Sequence, residues 1–123
     1  MKRALFAIAL IASPVAAQAQ SPQLENACLA VAKHFLLNNN VKTGVIQSFP
    51  ELTPPGARLT YSTRADTAPA DMSDTIECEF EKPAAPFGLV RFCLSSTCYA
   101  KDEKNPENRR RFEEVRTLMD RTK

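Results

Sequence analysis

The chain has 123 residues, with 16 lysines and arginines against 14 aspartates and glutamates, four cysteines and one histidine. That length accommodates one domain with a modest core, and the near-balance of charge speaks against nucleic-acid binding. Beyond the first twenty residues no apolar run approaches the ~20 residues a spanning helix needs, which excludes a polytopic membrane protein.

The N-terminus reads as a secretory signal. "MKR" is basic, "ALFAIALIA" is apolar but too short to span a bilayer, and "AQA" at Ala17 to Ala19 offers small residues to a signal peptidase. Cleavage is expected after Ala19, which divides the chain into a signal peptide over 1–19 and one small domain over 20–123. No cysteine directly follows that point, so a lipoprotein is not expected. Without Lys2 and Arg3 the remaining 104 residues carry 14 basic and 14 acidic side chains and are neutral. Such a signal points to a bacterial source and a periplasmic or secreted location.

The first predicted element is a helix in "SPQLENACLAVAKHFLLNNN". Ser21 suits the N-cap and Pro22 the first helical position. Leu24, Cys28, Val31 and Phe35 recur on one face, which puts Cys28 on the buried stripe. Asn38 to Asn40 is a plausible stop. The pattern then weakens, and "VIQSF" reads as either a short strand or a helical turn. "PELTPPG" is a loop. "ARLTYSTR", Ala57 to Arg64, alternates Leu59 and Tyr61 against Arg58 and Thr60, as a strand does. "ADTAPADMSD" is a polar connection.

"TIECEFEK" has the clearest alternation. Ile76, Cys78 and Phe80 share one face; Glu77, Glu79 and Glu81 share the other. "PAAP" turns the chain, and "FGLVRFCL", Phe87 to Leu94, returns as the next strand, with Val90, Phe92 and Leu94 expected in the core. Arg91 and Cys93 then face outward, Arg91 beside the glutamates. A turn at Ser95-Ser96 leads into the short strand "TCYA". "NPENRRRFEEVRTLMDRTK" closes as a helix, capped by Asn105 with Pro106 in first position. Phe112, Val115, Leu118 and Met119 form its apolar stripe, and Glu107 and Arg111 have ion-pair spacing. Helix, hairpin-connected strands, helix predicts an α+β fold with an antiparallel sheet of three to four strands.

All four cysteines follow the signal, and an even count in a small exported domain reads as disulfides. Four cysteines allow three connectivities. Parity favours Cys28 with Cys78, both core-facing, and Cys93 with Cys98, facing each other across the hairpin. The Ser-Ser turn weighs against the second pairing, because tight hairpins prefer Asn-Gly or glycine. A redox centre commonly uses C-x-x-C at a helix N-terminus; four intervening residues on a strand point instead to an inert staple. Zinc requires about four N or S ligands at short spacings, so neither a metal nor a cofactor is expected.

Two charged groups are possible binding surfaces. Six acidic residues and no basic one lie between positions 66 and 81, including Glu77, Glu79 and Glu81; most such faces are simply solvated or paired with a cation such as Arg91. Arg109, Arg110 and Arg111 lie near the start of the last helix, although residues 101–123 hold eight basic and six acidic groups and make an ordinary charged helix. His34 adjoins the apolar stripe and has no nucleophile signature to serve.

The cysteine-bearing first helix, "SFP" at Ser48–Pro50, "FG" at Phe87–Gly88 and the following strand with its cysteine resemble a family of small exported bacterial proteins of unknown function. The resemblance implies no activity and no site. The expected function is therefore a non-enzymatic periplasmic or secreted interaction module whose partner is another envelope protein or envelope component. The alternatives are a small secreted hydrolase or hydrolase inhibitor, using His34 or paired glutamates, and an envelope-structural protein.

Overall fold

A computed structural model describes residues 20–121, so the expected signal peptide lies outside the described residues. The element order is α1 (Pro22–Leu36), β1 (Lys42–Phe49), β2 (Gly56–Ser62), a 3₁₀ turn (Pro69–Asp71), β3 (Asp74–Phe80), β4 (Leu89–Leu94), β5 (Thr97–Ala100) and α2 (Pro106–Arg121). The five strands form one antiparallel meander in chain order. This is the α+β architecture that the hydrophobic periodicity predicts, with one strand more than the upper expectation because Lys42–Phe49 is a full strand.

The ambiguity of that segment has a local cause. The β1–β2 register shifts between Thr43 and Ile46, so β1 carries an extra residue and loses its period-two pattern. Gly44 sits in the shifted stretch. A side chain there would run into the Thr60 hydroxyl, Met72 Sδ and the Pro69 carbonyl, where the 3₁₀ turn closes over β1. A second bulge corrects the expectation for β4. Glu79 pairs with Arg91 but Phe80 pairs with Leu89, which leaves Val90 as the extra residue. Leu89 and Phe92 are therefore the buried pair, with Leu94 packed at the edge; Val90 drops out of the core.

Helix α1 begins as its caps dictate. Ser21 Oγ accepts from the Leu24 amide at 3.3 Å, and Pro22 takes the first position. It ends at Leu36, before the asparagines, because Leu37 turns into the left-handed region (φ 51°, ψ 42°). Leu24, Ala27, Cys28, Val31 and Ala32 are buried. At its N-terminus α1 is tied to β1 through Ser48, a polar residue only 1% exposed. Ser48 Oγ accepts from the Ser21 amide at 2.6 Å and donates to Glu25 Oε2 at 2.7 Å; the Ser48 amide donates to Gln20 Oε1 at 3.3 Å. Each polar group there has a partner, as burial requires.

Helix α2 is capped by Asn105, whose Oδ1 accepts from the amides of Glu107 at 2.9 Å and Asn108 at 3.4 Å. Phe112 and Val115 are buried and Met119 packs at the edge of the core, while Leu118 stays at its periphery. Both helices lie on one face of the sheet. Between them an aromatic group joins four elements: Phe35 meets Phe92 edge-on at 5.5 Å and Tyr99 at 4.9 Å, Phe92 stacks on Tyr99 at 5.1 Å, and Phe112 of α2 stacks on Phe92 at 6.2 Å.

Both favoured disulfides are present, Cys28–Cys78 and Cys93–Cys98. The first joins α1 to β3 inside the core. The second lies across the β4–β5 hairpin on the opposite face. The doubtful turn is accommodated because Ser95 itself adopts positive φ, 53°, and its amide donates to the Thr75 carbonyl at 2.9 Å on the neighbouring strand.

Candidate functional site

The face of the sheet turned away from the helices carries two cross-strand rows. Gln47, Arg58, Glu77, Cys93 and Cys98 stand opposite one another from β1 to β5. One step along, Phe49, Gly56, Glu79, Arg91 and Ala100 form the second row. Strand parity puts these side chains on the face opposite Leu59, Ile76, Cys78 and Phe92. One corner of this face is covered, where the 3₁₀ turn meets Gly44 and Thr60.

The charges on it alternate. Arg58 Nε lies 3.4 Å from Glu77 Oε1, with both side chains more than half exposed. Such a pair contributes little to stability, since water screens it. Sequence parity placed Arg58 on the outward side of its strand, but only the order β2–β3 makes it the partner of Glu77; Arg91 stands beside the glutamates as expected, opposite Glu79. Arg91 Nη2 donates to Cys98 Sγ at 3.1 Å. It also borders a hollow of about 520 Å³ with Val90, Ala100, Asp102, Glu103 and Lys104. Glu81, expected beside Glu77 and Glu79, lies beyond the end of β3. Its amide donates to the Phe87 and Gly88 carbonyls, and its side chain folds over Gly88, whose φ is 66°. Within the strand itself, the pair of carboxylates on this face is Glu77 and Glu79.

The three consecutive arginines of α2 point to three different partners. Arg109 Nη1 donates to the Glu103 carbonyl at 3.1 Å. Arg110 bridges Glu107 and Glu114 on its own helix, and this guanidinium holds the Glu107 carboxyl below its usual pKa. Glu107 thus pairs with Arg110, not with Arg111 as the spacing suggested. The Arg111 guanidinium lies 4.0 Å above the Phe35 ring and 5.9 Å from that of Tyr99. A phosphate facing this helix would meet no convergent cluster of the three.

His34 borders a small hollow of about 70 Å³ with Phe35, Leu37, Arg111, Glu114, Val115 and Leu118. Partial burial pushes its imidazole pKa down from the ordinary value. Among the described residues no serine or cysteine lines that hollow. Among the described residues no group of three or more His, Cys, Asp or Glu side chains is placed to hold a metal ion. No helix among them is long and apolar enough to cross a membrane. Neither a family model, nor a curated protein, nor a solved structure matches this chain.

Proposed function

We propose that this protein is an exported, non-enzymatic interaction module that meets an envelope protein through the open face of its sheet. The observation that carries this reading is the in-register display of Arg58, Glu77, Glu79 and Arg91 across three adjacent strands, on a face that no helix covers among the described residues. A rigid scaffold holds these groups at fixed spacing, as specific recognition needs. Two cations flank two neighbouring anions, so an extended polyanion or an anionic lipid surface meets as much repulsion as attraction. A protein surface with its own alternating charges is the complementary partner, and such complementarity supplies specificity more than raw affinity.

The test is site-specific photo-crosslinking in the producing cell. A photoreactive residue at position 79 is expected to give one adduct of defined mass, lost when Arg58→Glu is added. The same residue at position 110, on α2, is expected to give none. Adducts from position 110 alone, or an adduct from position 79 indifferent to Arg58→Glu, would refute the sheet-face reading.

A further inference from the structure

The two disulfides occupy opposite environments. Cys28 and Cys78 are 0% and 2% exposed and enclosed between α1 and the sheet. Cys93 and Cys98 are half-buried on the open face, at the hairpin that forms one edge of the sheet. Reduction by a thiol requires an in-line approach to a sulfur, which the core denies to the first bridge and the open face permits to the second.

The hairpin bridge is also electrically asymmetric. Arg91 Nη2 donates to Cys98 Sγ at 3.1 Å, in an exposed contact. A guanidinium in that position favours negative charge on Cys98. Cys93 stands opposite Glu77, whose carboxylate is 3.4 Å from Arg58. Glu79, opposite Arg91, is the other carboxylate of the neighbouring strand on this face. Between the two sulfurs, only Cys98 has a cation donating to it among the described residues.

We infer that Cys93–Cys98 is a thiol–disulfide exchange site, with Cys93 the sulfur attacked and Cys98 the leaving group. A thiolate bonds to Cys93 Sγ as the Cys93–Cys98 bond breaks, and the electron pair of that bond departs on Cys98 Sγ beside Arg91. The mixed disulfide has two fates. Cys98 thiolate re-attacks Cys93 and expels the incoming thiolate, or a second thiolate attacks the incoming sulfur, leaving Cys93 as a thiolate. In the second case two thiols are oxidised to a disulfide, and the protein gains two electrons and two protons. The reductant class is a thiol or dithiol. Cys28–Cys78 holds α1 on the sheet and the β4–β5 pairing persists throughout, so the bridge opens without unfolding. The site shares Arg91 with the docking face proposed above, but its test reads thiol exchange on the isolated protein and therefore succeeds or fails separately from that reading.

The experiment uses the oxidised protein with reduced glutathione near pH 7, quenched at intervals by alkylation and followed by peptide mapping and circular dichroism. Cys93 and Cys98 are expected to become alkylated while Cys28–Cys78 stays intact and the spectrum is unchanged. Early quenching is expected to find glutathione on Cys93. Arg91→Ala should slow the first step about three- to tenfold, through a poorer leaving group, and Arg91→Lys should restore part of the rate. Simultaneous loss of both disulfides with loss of the spectrum, glutathione on Cys98, or an Arg91→Ala rate equal to that of the parent would overturn the inference.

Discussion

Leu37 is the most conflicted residue in the described chain. It ends α1 with left-handed backbone, a conformation that costs a side-chain-bearing residue about 1 kcal/mol. Its side chain gains little in return, since it is 83% exposed and only rims the hollow beside His34. Glycine is the usual occupant of such a position. Leu37→Gly is therefore expected to stabilise the protein by about 1 kcal/mol, seen as a higher urea midpoint at unchanged slope. An unchanged or lower midpoint would mean that Leu37 makes a compensating contact in solution. Ser95 poses the same backbone problem at the hairpin turn, but there the amide is tied to β3, so the strain serves the strand register.

At the level of elements, the α1–α2–sheet junction rests on aromatic packing with one arginine laid across it. Arg111 differs from its two neighbours in kind: it covers the faces of Phe35 and Tyr99, whereas Arg109 and Arg110 bind a carbonyl and two carboxylates at the surface. Removing it loses a cation–π contact and the packing of its aliphatic stem. Arg111→Ala is expected to cost about 1 kcal/mol in chemical denaturation, and Arg110→Ala measurably less because water screens its pairs. Equal effects from the two substitutions would refute this distinction. From sequence the three arginines look equivalent, because their separation depends on where Phe35 and Tyr99 come to lie. Ser48 was equally illegible: a lone serine in an ambiguous segment becomes the buried junction of α1 and β1 only when the helix N-terminus packs there.

For the whole molecule, the long-range bridge matters more than the hairpin bridge. Chain-entropy arguments assign about 4 kcal/mol to the Cys28–Cys78 loop and about 2 kcal/mol to the Cys93–Cys98 loop. A domain of this size has a total stability of about 5–15 kcal/mol. Cys28→Ala with Cys78→Ala should therefore remove a large part of it, while Cys93→Ala with Cys98→Ala should leave a folded protein. Thermal unfolding of the two double variants checks the order, and the reverse order would contradict the placement of Cys28–Cys78 as the main staple.

Period-two alternation in "TIECEFEK" was sufficient to orient Cys78, Glu77 and Glu79, and helical spacing was sufficient to bury Cys28. Together they favoured the Cys28–Cys78 pairing, because parity within an element is a local property of backbone geometry; the Cys93–Cys98 pairing, which the Ser95-Ser96 turn weighed against, needed the hairpin register. Capping residues and the α+β class were likewise legible in short stretches. Tertiary structure alone decided the fifth strand, the replacement of Val90 by Leu89 in the core, the pairing of Glu77 with Arg58, and the position of Arg91 against Cys98. Bulges and strand order are set by contacts between segments distant in sequence. A single inserted residue shifts every side chain that follows it to the other face, and periodicity read along one strand does not reveal which neighbour demands that shift.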